Sequence, residues 1–187
     1  MPEPPRDTLL SNFWAPLCAV GSHGPLGPNA QICVSVFGAS IVPDRPRLLL
    51  VLSKTNYTTG LITDCKTLCI TLLTASNLDL IEPLGLQSGR YGNKLGSLAF
   101  KLTGDGDPYF LGGAGYIRCA VLDETDNGDS LSILAAVRER HPMNHNPPIT
   151  WASAQKLLSP ELLAAWAAKS ANEQAVARAG MLWRDAP

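Results

Sequence analysis

The feature that most constrains the fold is a series of apolar runs of strand length, each bounded by residues that favour turns. The clearest run is Arg47 to Ser53 (RLLLVLS), which is apolar enough for a strand buried on both faces. Thr67 to Leu73 (TLCITLL) is similar. The same criteria predict four further strands: Phe13 to Gly21, Ala30 to Ser40, Gly115 to Asp123 and Leu131 to Glu139. Six strands without long helices alternating between them favour a barrel or sandwich over a Rossmann-type sheet.

Turns and short helices connect these strands. His23 to Asn29 (HGPLGPN) is dense in glycine and proline and is predicted to be a turn. Thr55 to Asp64 and Ser76 to Leu86 are each predicted to form a short helix. The expected fold class is therefore mainly β with short helices.

From about Thr150 the sequence becomes helical in character. Ser159-Pro160-Glu161 combines a capping hydroxyl, a proline at the first helical position and an acid in the first turn. Leu162, Leu163 and Trp166 follow at helical spacing and are predicted to make core contacts. We therefore divide the chain into a barrel domain, residues 1–149, and a helical C-terminal extension, residues 150–187, which is expected to pack on the barrel or on a partner subunit.

Charge limits the classes of partner. Charged residues make up 17% of the chain, below the roughly 25% that is typical of soluble domains. Either part of the surface is covered by another subunit or the domain is compact with few charges, and composition leaves both readings open. The net charge of −1 and the pI near 6.3 come without a basic stripe, which argues against a dedicated nucleic-acid binder.

The expected location is the cytoplasm. The first residues are polar and rich in proline and lack the apolar segment of a signal peptide. No apolar stretch approaches the roughly 18 residues needed to cross a bilayer, so no membrane partner is expected. The five cysteines are scattered and odd in number, which favours buried free thiols over disulfides.

The sequence lacks the motifs for nucleotide binding, serine hydrolysis and metal binding. No GxGxxG, GxxxxGK[ST] or GxSxG sequence is present. Cys65 and Cys69 could join His141 and His145 as zinc ligands on spacing alone. Cys69, however, lies in an apolar strand, and Pro142 interrupts the pair of histidines. The sequence therefore predicts no metal site.

The order of several central segments carries a family resemblance. The segments are Asn29 to Pro43 (NAQICVSVFGASIVP), Arg47 to Ile62, and Ser88 to Lys94 (SGRYGNK), followed by Gly128-Asp129-Ser130 before the last strand. Together they resemble the flavin reductase-like family of FMN-binding split β-barrels, including its flavoredoxin-like members. The resemblance covers roughly Phe13 to Glu139. It implies a six-stranded antiparallel split barrel with flanking short helices, usually a homodimer with FMN at the dimer interface.

The resemblance also implies three groups of flavin contacts. A strand of small residues that passes the flavin in the family is matched by Gln31, Ile32, Cys33, Val34 and Ser35. A polar loop that opens a helix and suits a phosphate is matched by Lys54, Asn56, Thr58 and Thr59. A Ser-Gly-Arg…Lys segment near the flavin is matched by Ser88, Arg90 and Lys94. An ordinary core strand, a helix cap and a solvated loop are the respective alternatives.

One departure from the family bears on activity. Many of its reductases carry Gly-Asp-His before the last strand, where the histidine helps to position flavin or nicotinamide, but here the sequence is Gly128-Asp129-Ser130. Because the flavin carries the hydride chemistry, no catalytic side chain is predicted. The resemblance implies an FMN-binding oxidoreductase, an NAD(P)H-dependent flavin reductase with NADH or NADPH as co-substrate. The alternatives are an FMN-binding electron-transfer or flavin-carrier protein without nicotinamide activity, and a dimeric barrel that no longer binds flavin. If a flavin is bound, the helical extension from Thr150 could also cover the mouth of its site and limit access.

Overall fold

Strand-forming runs and turn residues divide the chain into short elements throughout residues 16–181, which the computed structural model describes. The strands in this range are β1 (Cys18–Gly24), β2 (Gly27–Cys33), β3 (Val36–Gly38), β4 (Arg47–Ser53), β5 (Thr67–Leu72), β6 (Phe100–Leu102), β7 (Pro108–Phe110), β8 (Gly115–Asp126) and β9 (Ser130–Pro142). The α-helices are α1 (Tyr57–Cys65), α2 (Ile81–Gly85), α3 (Trp151–Ala154) and α4 (Pro160–Gly180), and a 3₁₀ segment, Ala75–Leu80, precedes α2. The start of the predicted first strand, residues 13–15, and the last residues of the predicted tail lie outside the described range.

A very short connection joins the two edge strands of the main sheet. Its order is β2-β1-β5-β8-β9-β4-β3, with every neighbouring pair antiparallel. Strands β2 and β3 form opposite edges, yet only Val34 and Ser35 join them. Because consecutive Cα atoms are about 3.8 Å apart, this link requires the sheet to curl until its edges approach each other. The backbone N–H of Val51 in β4 donates to the carbonyl oxygen of Ser35 at 3.0 Å, which fixes the link to β4, the strand next to β3.

The expected fold class is confirmed, with a different number of strands. The described residues form a mainly β, curled antiparallel sheet with short helices, but the main sheet contains seven strands instead of six. The difference arises because the predicted strand Ala30 to Ser40 breaks at the two-residue link and contributes to both edges. The hairpin β6–β7 was absent from the prediction, because its strands have only three residues each.

The predicted turn over His23 to Asn29 is confirmed in place but is shorter than expected. Only Pro25 and Leu26 separate β1 from β2, and His23 pairs with Pro28 within the ladder. Proline lacks an N–H group, but β2 is an edge strand, where this loss is tolerated. Gly27 begins β2 with a φ of 106°, which a glycine adopts readily. Residues typical of turns therefore extend into both strands of this hairpin.

The helical predictions are confirmed in place, with shifted boundaries. Helix α1 begins at Tyr57, and the second predicted helix is formed by the 3₁₀ segment and α2. The signal at Ser159 is also confirmed, since the backbone N–H of Leu162 donates to the Ser159 hydroxyl at 3.2 Å. The extension contains α3 and α4, and the proposed boundary at residue 149/150 stays a prediction. Within residues 16–181, none of the helices combines the length and hydrophobicity needed to span a membrane.

Two apolar clusters hold the sheet from opposite faces. The barrel-side cluster fills the concave face with buried side chains that include Cys33, Leu50, Ile62, Ile70 and Ile133. The helix-side cluster lies beneath α2, α3 and part of α4, and it includes Leu17, Leu73, Ile81, Phe110 and Trp151. Helix α4 adds the partly buried Leu162 and Trp166 to the helix-side cluster. The elements around the edge strand β2 are thus fixed by packing on both faces.

The barrel-side cluster predicts the stability of a core variant. Leu50→Ala should lower the free energy of unfolding by about 2–5 kcal/mol, because it leaves a cavity among side chains that cannot fully relax. The Leu50 side chain is fully buried. Urea unfolding measures the change, and Leu26→Ala is the matched control because Leu26 is 90% exposed. Equal losses in the two variants would contradict the position of Leu50 in the core.

Candidate functional site

A cavity of about 480 Å³ opens beside the edge strand β2. It lies between β2, the start of α1, the segment that follows α2 (residues 87–94) and one face of α4. This volume falls within the roughly 300–1,000 Å³ that is usual for small-molecule sites. The cavity is therefore the candidate functional site.

A hydrogen-bonded amide network forms the base of the cavity. The Gln31 side chain donates from Nε2 to the Thr59 hydroxyl at 3.1 Å and accepts at Oε1 from the Asn56 amide. Asn56 occupies the N-cap of α1 but makes no side-chain cap hydrogen bond. Its side chain therefore orients Gln31 instead of satisfying the first amides of the helix. Asn56, Tyr57 and Thr58 all line the cavity, so this helix start faces the site.

A close backbone approach fixes the segment that follows α2. The Thr58 hydroxyl donates to Asn29 Oδ1 at 2.9 Å, and both residues are buried. A Cβ atom at Gly89 would lie 1.9 Å from the Asn29 amide nitrogen, so only glycine fits there without displacement. Ser88, Gly89 and Arg90 are thereby held against β2 and α1, next to the cavity.

Positive charge is concentrated on the cavity wall. Arg90 donates to the carbonyl oxygen of Thr55 at 2.7 Å, and its guanidinium lies 5.8 Å from the centre of the Tyr57 ring. Lys94 donates to the carbonyl oxygens of Leu84 and Gln87, at 3.3 and 3.0 Å. These partners are uncharged, so neither cation is neutralised by them.

Burial changes the acidity of Lys94. Removal from water, reinforced by the neighbouring ammonium of Lys169, lowers the pKa of Lys94 to about 8 from its ordinary value of 10.5. An anion bound in the cavity would favour the charged form of Lys94 and oppose this shift. Lys94 is accordingly suited to bind a negatively charged group.

Apolar and aromatic side chains supply the remaining surface of the cavity. Ile32 contributes from β2, Tyr57 from α1 and Trp166 from α4. The Trp166 ring also packs on Trp151, with 4.6 Å between ring centres. A Cβ atom at Gly85 would lie 2.1 Å from the Trp166 ring, so α4 and α2 are in close contact. A planar ring could be held among these surfaces.

The cavity brings together seven of the twelve residues matched to flavin contacts in the sequence: Gln31, Ile32, Asn56, Thr58, Ser88, Arg90 and Lys94. Thr59 lies directly behind Gln31 as its hydrogen-bond partner. The structure therefore places two separated sequence segments, the α1 loop and the Ser-Gly-Arg segment, around one site.

The other four matched residues point elsewhere. Cys33 faces the barrel-side cluster, and burial raises the pKa of its thiol to about 11. Val34 packs against the helix-side cluster, and Ser35 lies in the link between the sheet edges. Lys54 donates to Asp126 at 2.9 Å and to the carbonyl oxygen of Gly128 at 2.9 Å, so it is engaged by the β8–β9 hairpin.

Helix α4 contributes a wall of the cavity, through residues that the sequence analysis did not assign to a site. Trp166, predicted only as a core contact, packs in the core and lines the cavity as well. Lys169, Glu173 and Val176 also line it, at successive spacings of three and four residues. Such spacing places side chains on one face of a helix. This mixed charged and apolar stripe was the available sequence signal.

The sequence family is established by a match to most of the chain. The family model for the flavin reductase like domain matches residues 10–156. The chain belongs to this family. The resemblance inferred from the central segments is thereby confirmed. No curated protein sequence matches the chain significantly.

Several solved structures share the fold of this chain. An FMN-binding protein from Thermus thermophilus has 22% identity over 68% of this chain and 71% of its own, with a TM-score of 0.62. An NADH:FAD oxidoreductase from Streptomyces globisporus has 17% identity over 78% and 89%, with a TM-score of 0.68. A flavoredoxin from Methanosarcina acetivorans has 14% identity over 70% and 69%, with a TM-score of 0.63. At these identities the likeness concerns the fold.

The flavin reductase-like match ends before α4 begins. The matched region stops at residue 156, whereas α4 spans Pro160–Gly180. The base of the cavity thus lies within the family domain, and the wall formed by α4 lies outside it.

The lowered pKa of Lys94 predicts how stability depends on pH. Between pH 8 and 10.5 the native chain has released a proton that the unfolded chain still holds, so rising pH favours the native state. Relative to Lys94→Met, the free energy of unfolding of the wild type should rise by about 1–3 kcal/mol across this pH window. Urea unfolding at about pH 7.5 and about pH 10 measures it. Lys156→Met is the control, because Lys156 is exposed. If the pH-dependent gain in unfolding free energy is no larger relative to Lys94→Met than relative to Lys156→Met, the lowered pKa of Lys94 is contradicted.

Proposed function

We propose that this chain binds FMN in the cavity beside β2 and acts as an NAD(P)H-dependent flavin reductase. The observation that carries the proposal is the joint presence of an aromatic wall, a hydrogen-bonded amide network and a cluster of cations in one cavity. The family supports it, and so do two of the structural neighbours, the FMN-binding protein from Thermus thermophilus and the NADH:FAD oxidoreductase from Streptomyces globisporus.

The cavity residues fit the three parts of FMN. The isoalloxazine ring needs apolar contact, which Ile32 and Trp166 supply. The pyrimidine edge needs hydrogen-bonding groups, and Gln31 offers an amide held in place by its neighbours. The phosphate needs cations, and Arg90 and Lys94 line the same cavity.

This chain would contribute orientation and shielding. A bound flavin supplies the hydride acceptor and the two-electron chemistry. The amide network would fix the orientation of the ring, and Trp166 would shield one part of it from water. No side-chain acid or base is assigned to the hydride step.

Position 130 favours a second candidate function, an FMN-binding electron-transfer or flavin-carrier protein without nicotinamide activity. Ser130 stands where many family reductases carry a histidine. Its hydroxyl accepts from the Asn127 amide at 3.4 Å within the β8–β9 hairpin. A serine there supplies no imidazole to position a nicotinamide, although FMN binding would be unaffected.

The first experiment is an absorbance titration of the purified full-length chain with FMN, followed by NADH and then NADPH without oxygen. We expect FMN to bind and its visible bands to bleach with one or both nicotinamides. Arg90→Gln should weaken FMN binding about tenfold through the loss of a charge-assisted contact. Arg45→Gln is the control, because Arg45 is exposed and lies outside the cavity lining.

The outcomes separate the candidate functions. Bound FMN that bleaches supports the reductase. Bound FMN that keeps its bands with both nicotinamides supports the carrier. Failure to bind even excess FMN would overturn both candidate functions. Equal FMN affinities of Arg90→Gln and Arg45→Gln would indicate that FMN binds outside this cavity.

The proposal includes a homodimer working in the cytoplasm. Phe37, at the β3 edge, is 37% exposed, and Ile41 and Val42, which follow it, are 99% and 46% exposed. An exposed apolar patch of this kind suits a second copy of the chain. The five cysteines are all free, which suits a reducing compartment, and cell fractionation tests that location.

The apolar patch predicts the effect of a charged substitution. Ile41→Glu should shift the chain from dimer to monomer without unfolding it, because it places a charge in the contact surface. Light scattering after size-exclusion chromatography measures the mass, and circular dichroism checks the fold. Leu26→Glu is the control, since Leu26 is 90% exposed on the β1–β2 hairpin. A monomeric wild type, or a dimer unaffected by Ile41→Glu, would contradict this assignment.

A further inference from the structure

Helix α4 adds functional groups to the cavity from outside the family domain. Trp166, Lys169, Asn172 and Glu173 line the cavity, whereas the family match ends at residue 156. Trp166 packs against α2 at Gly85. The residues of α4 that line the cavity run from Trp166 to Val176, over almost three helical turns. The helix therefore extends across one side of the cavity.

Lys169 stands out among these groups because of its charge environment. It forms an ion pair with Glu173, one turn further along the same helix, and both side chains remain about one third exposed, at 32% each. Surface pairs at this spacing contribute little stability, so Lys169 can exchange Glu173 for a better partner at small cost. Lys169 is thus available to a ligand in the cavity.

The charges along the cavity wall do not balance. Among the described residues that line the cavity, Arg90, Lys94 and Lys169 contribute three positive charges, and Glu173 is the one carboxylate. Lys94 is close enough to Lys169 for the ammonium groups to repel each other, which adds to the effect of burial in lowering the pKa of Lys94. Like charges gathered in a partly buried space favour the binding of an anion that offsets them.

We infer that Lys169 of α4, together with Lys94, binds the phosphate group of the ligand, and that Glu173 competes with that phosphate for Lys169. This inference rests on the proposed function, because it concerns a phosphate ester held in the same cavity. Two ligands of the proposed reaction carry such a group, FMN and the nicotinamide dinucleotide. A dianionic phosphate can accept hydrogen bonds from both ammonium groups at once, which the single carboxylate of Glu173 does less well.

The test compares flavins with and without phosphate on the full-length chain. Dissociation constants for FMN and for riboflavin are measured by quenching of flavin fluorescence in the wild type, Lys169→Gln, Glu173→Gln and the double variant. Glutamine keeps helix propensity close to that of lysine and glutamate, so α4 should persist. Lys156→Gln is the control, because Lys156 is exposed and outside the cavity lining.

We expect Lys169→Gln to weaken FMN binding about five- to tenfold and to leave riboflavin binding unchanged. Glu173→Gln should strengthen FMN binding severalfold, and this gain should shrink in the double variant, since its source is the release of Lys169. Unchanged flavin affinities together with a raised KM for NADH or NADPH in Lys169→Gln would also support the inference, with the dinucleotide as the source of the phosphate.

Two further outcomes separate the inference from the proposed function. If the wild type binds flavin but Lys169→Gln matches Lys156→Gln for FMN, riboflavin and both nicotinamides, the role of Lys169 is overturned and the proposed function survives. If the wild type binds neither FMN nor riboflavin, the proposed function fails, and the inference fails with it. An equal loss of FMN and riboflavin affinity in Lys169→Gln would also overturn the phosphate role, because it would indicate a displaced helix.

Discussion

The two-residue link between the edge strands is the constraint on which the rest of the structure depends. Val34 and Ser35 connect β2 to β3 across the full width of a seven-stranded sheet, so the sheet must curl. Curling gives the sheet two different faces, one packed on the barrel-side cluster with Ile62 of α1 and the other on the helix-side cluster beneath α2, α3 and part of α4. It also leaves β2 at an edge, where the buried Gln31 and the partly buried Ile32 line the cavity. The cavity lies where this edge meets the start of α1.

Much of the fold could be predicted from local patterns, because the strongest strands carry their own boundaries. Arg47–Ser53 was predicted at its observed limits, since a continuous apolar run ends there at polar residues. The turn between β1 and β2 was predicted too long because glycine and proline dominate His23 to Asn29. Whether such residues can join a ladder depends on edge position, a tertiary property. The very short β6 and β7 carry too little pattern to be recognised.

The candidate cavity could be predicted in part from segments that match the family, but not where contacts between distant residues decide which side chains line it. Gln31, Thr58 and Arg90 lie in segments that match the family in order, and all three line the cavity, whereas their contacts with flavin stay a prediction. Lys54 matched a phosphate loop equally well, but Asp126, 72 residues away, holds its ammonium outside the cavity. No local pattern reveals such a partner. The sequence suggested that the extension could cover a flavin site but did not identify its lining residues, for a related reason. Their stripe of tryptophan, lysine and valine is weakly amphipathic, and the surface that it faces is formed by distant segments.

The position of α4 has a consequence for the kinetics of ligand exchange. This helix lies along one side of the cavity and packs on α2 at Gly85 through Trp166. Most of its other residues are exposed or only partly buried, so local detachment requires far less free energy than unfolding of the barrel. For a ligand that leaves past α4, the rate of dissociation cannot exceed the rate at which the helix detaches. Its residence time would then follow the opening equilibrium of a peripheral helix, and the half-life of the complex could change while the contacts made by the barrel stay the same.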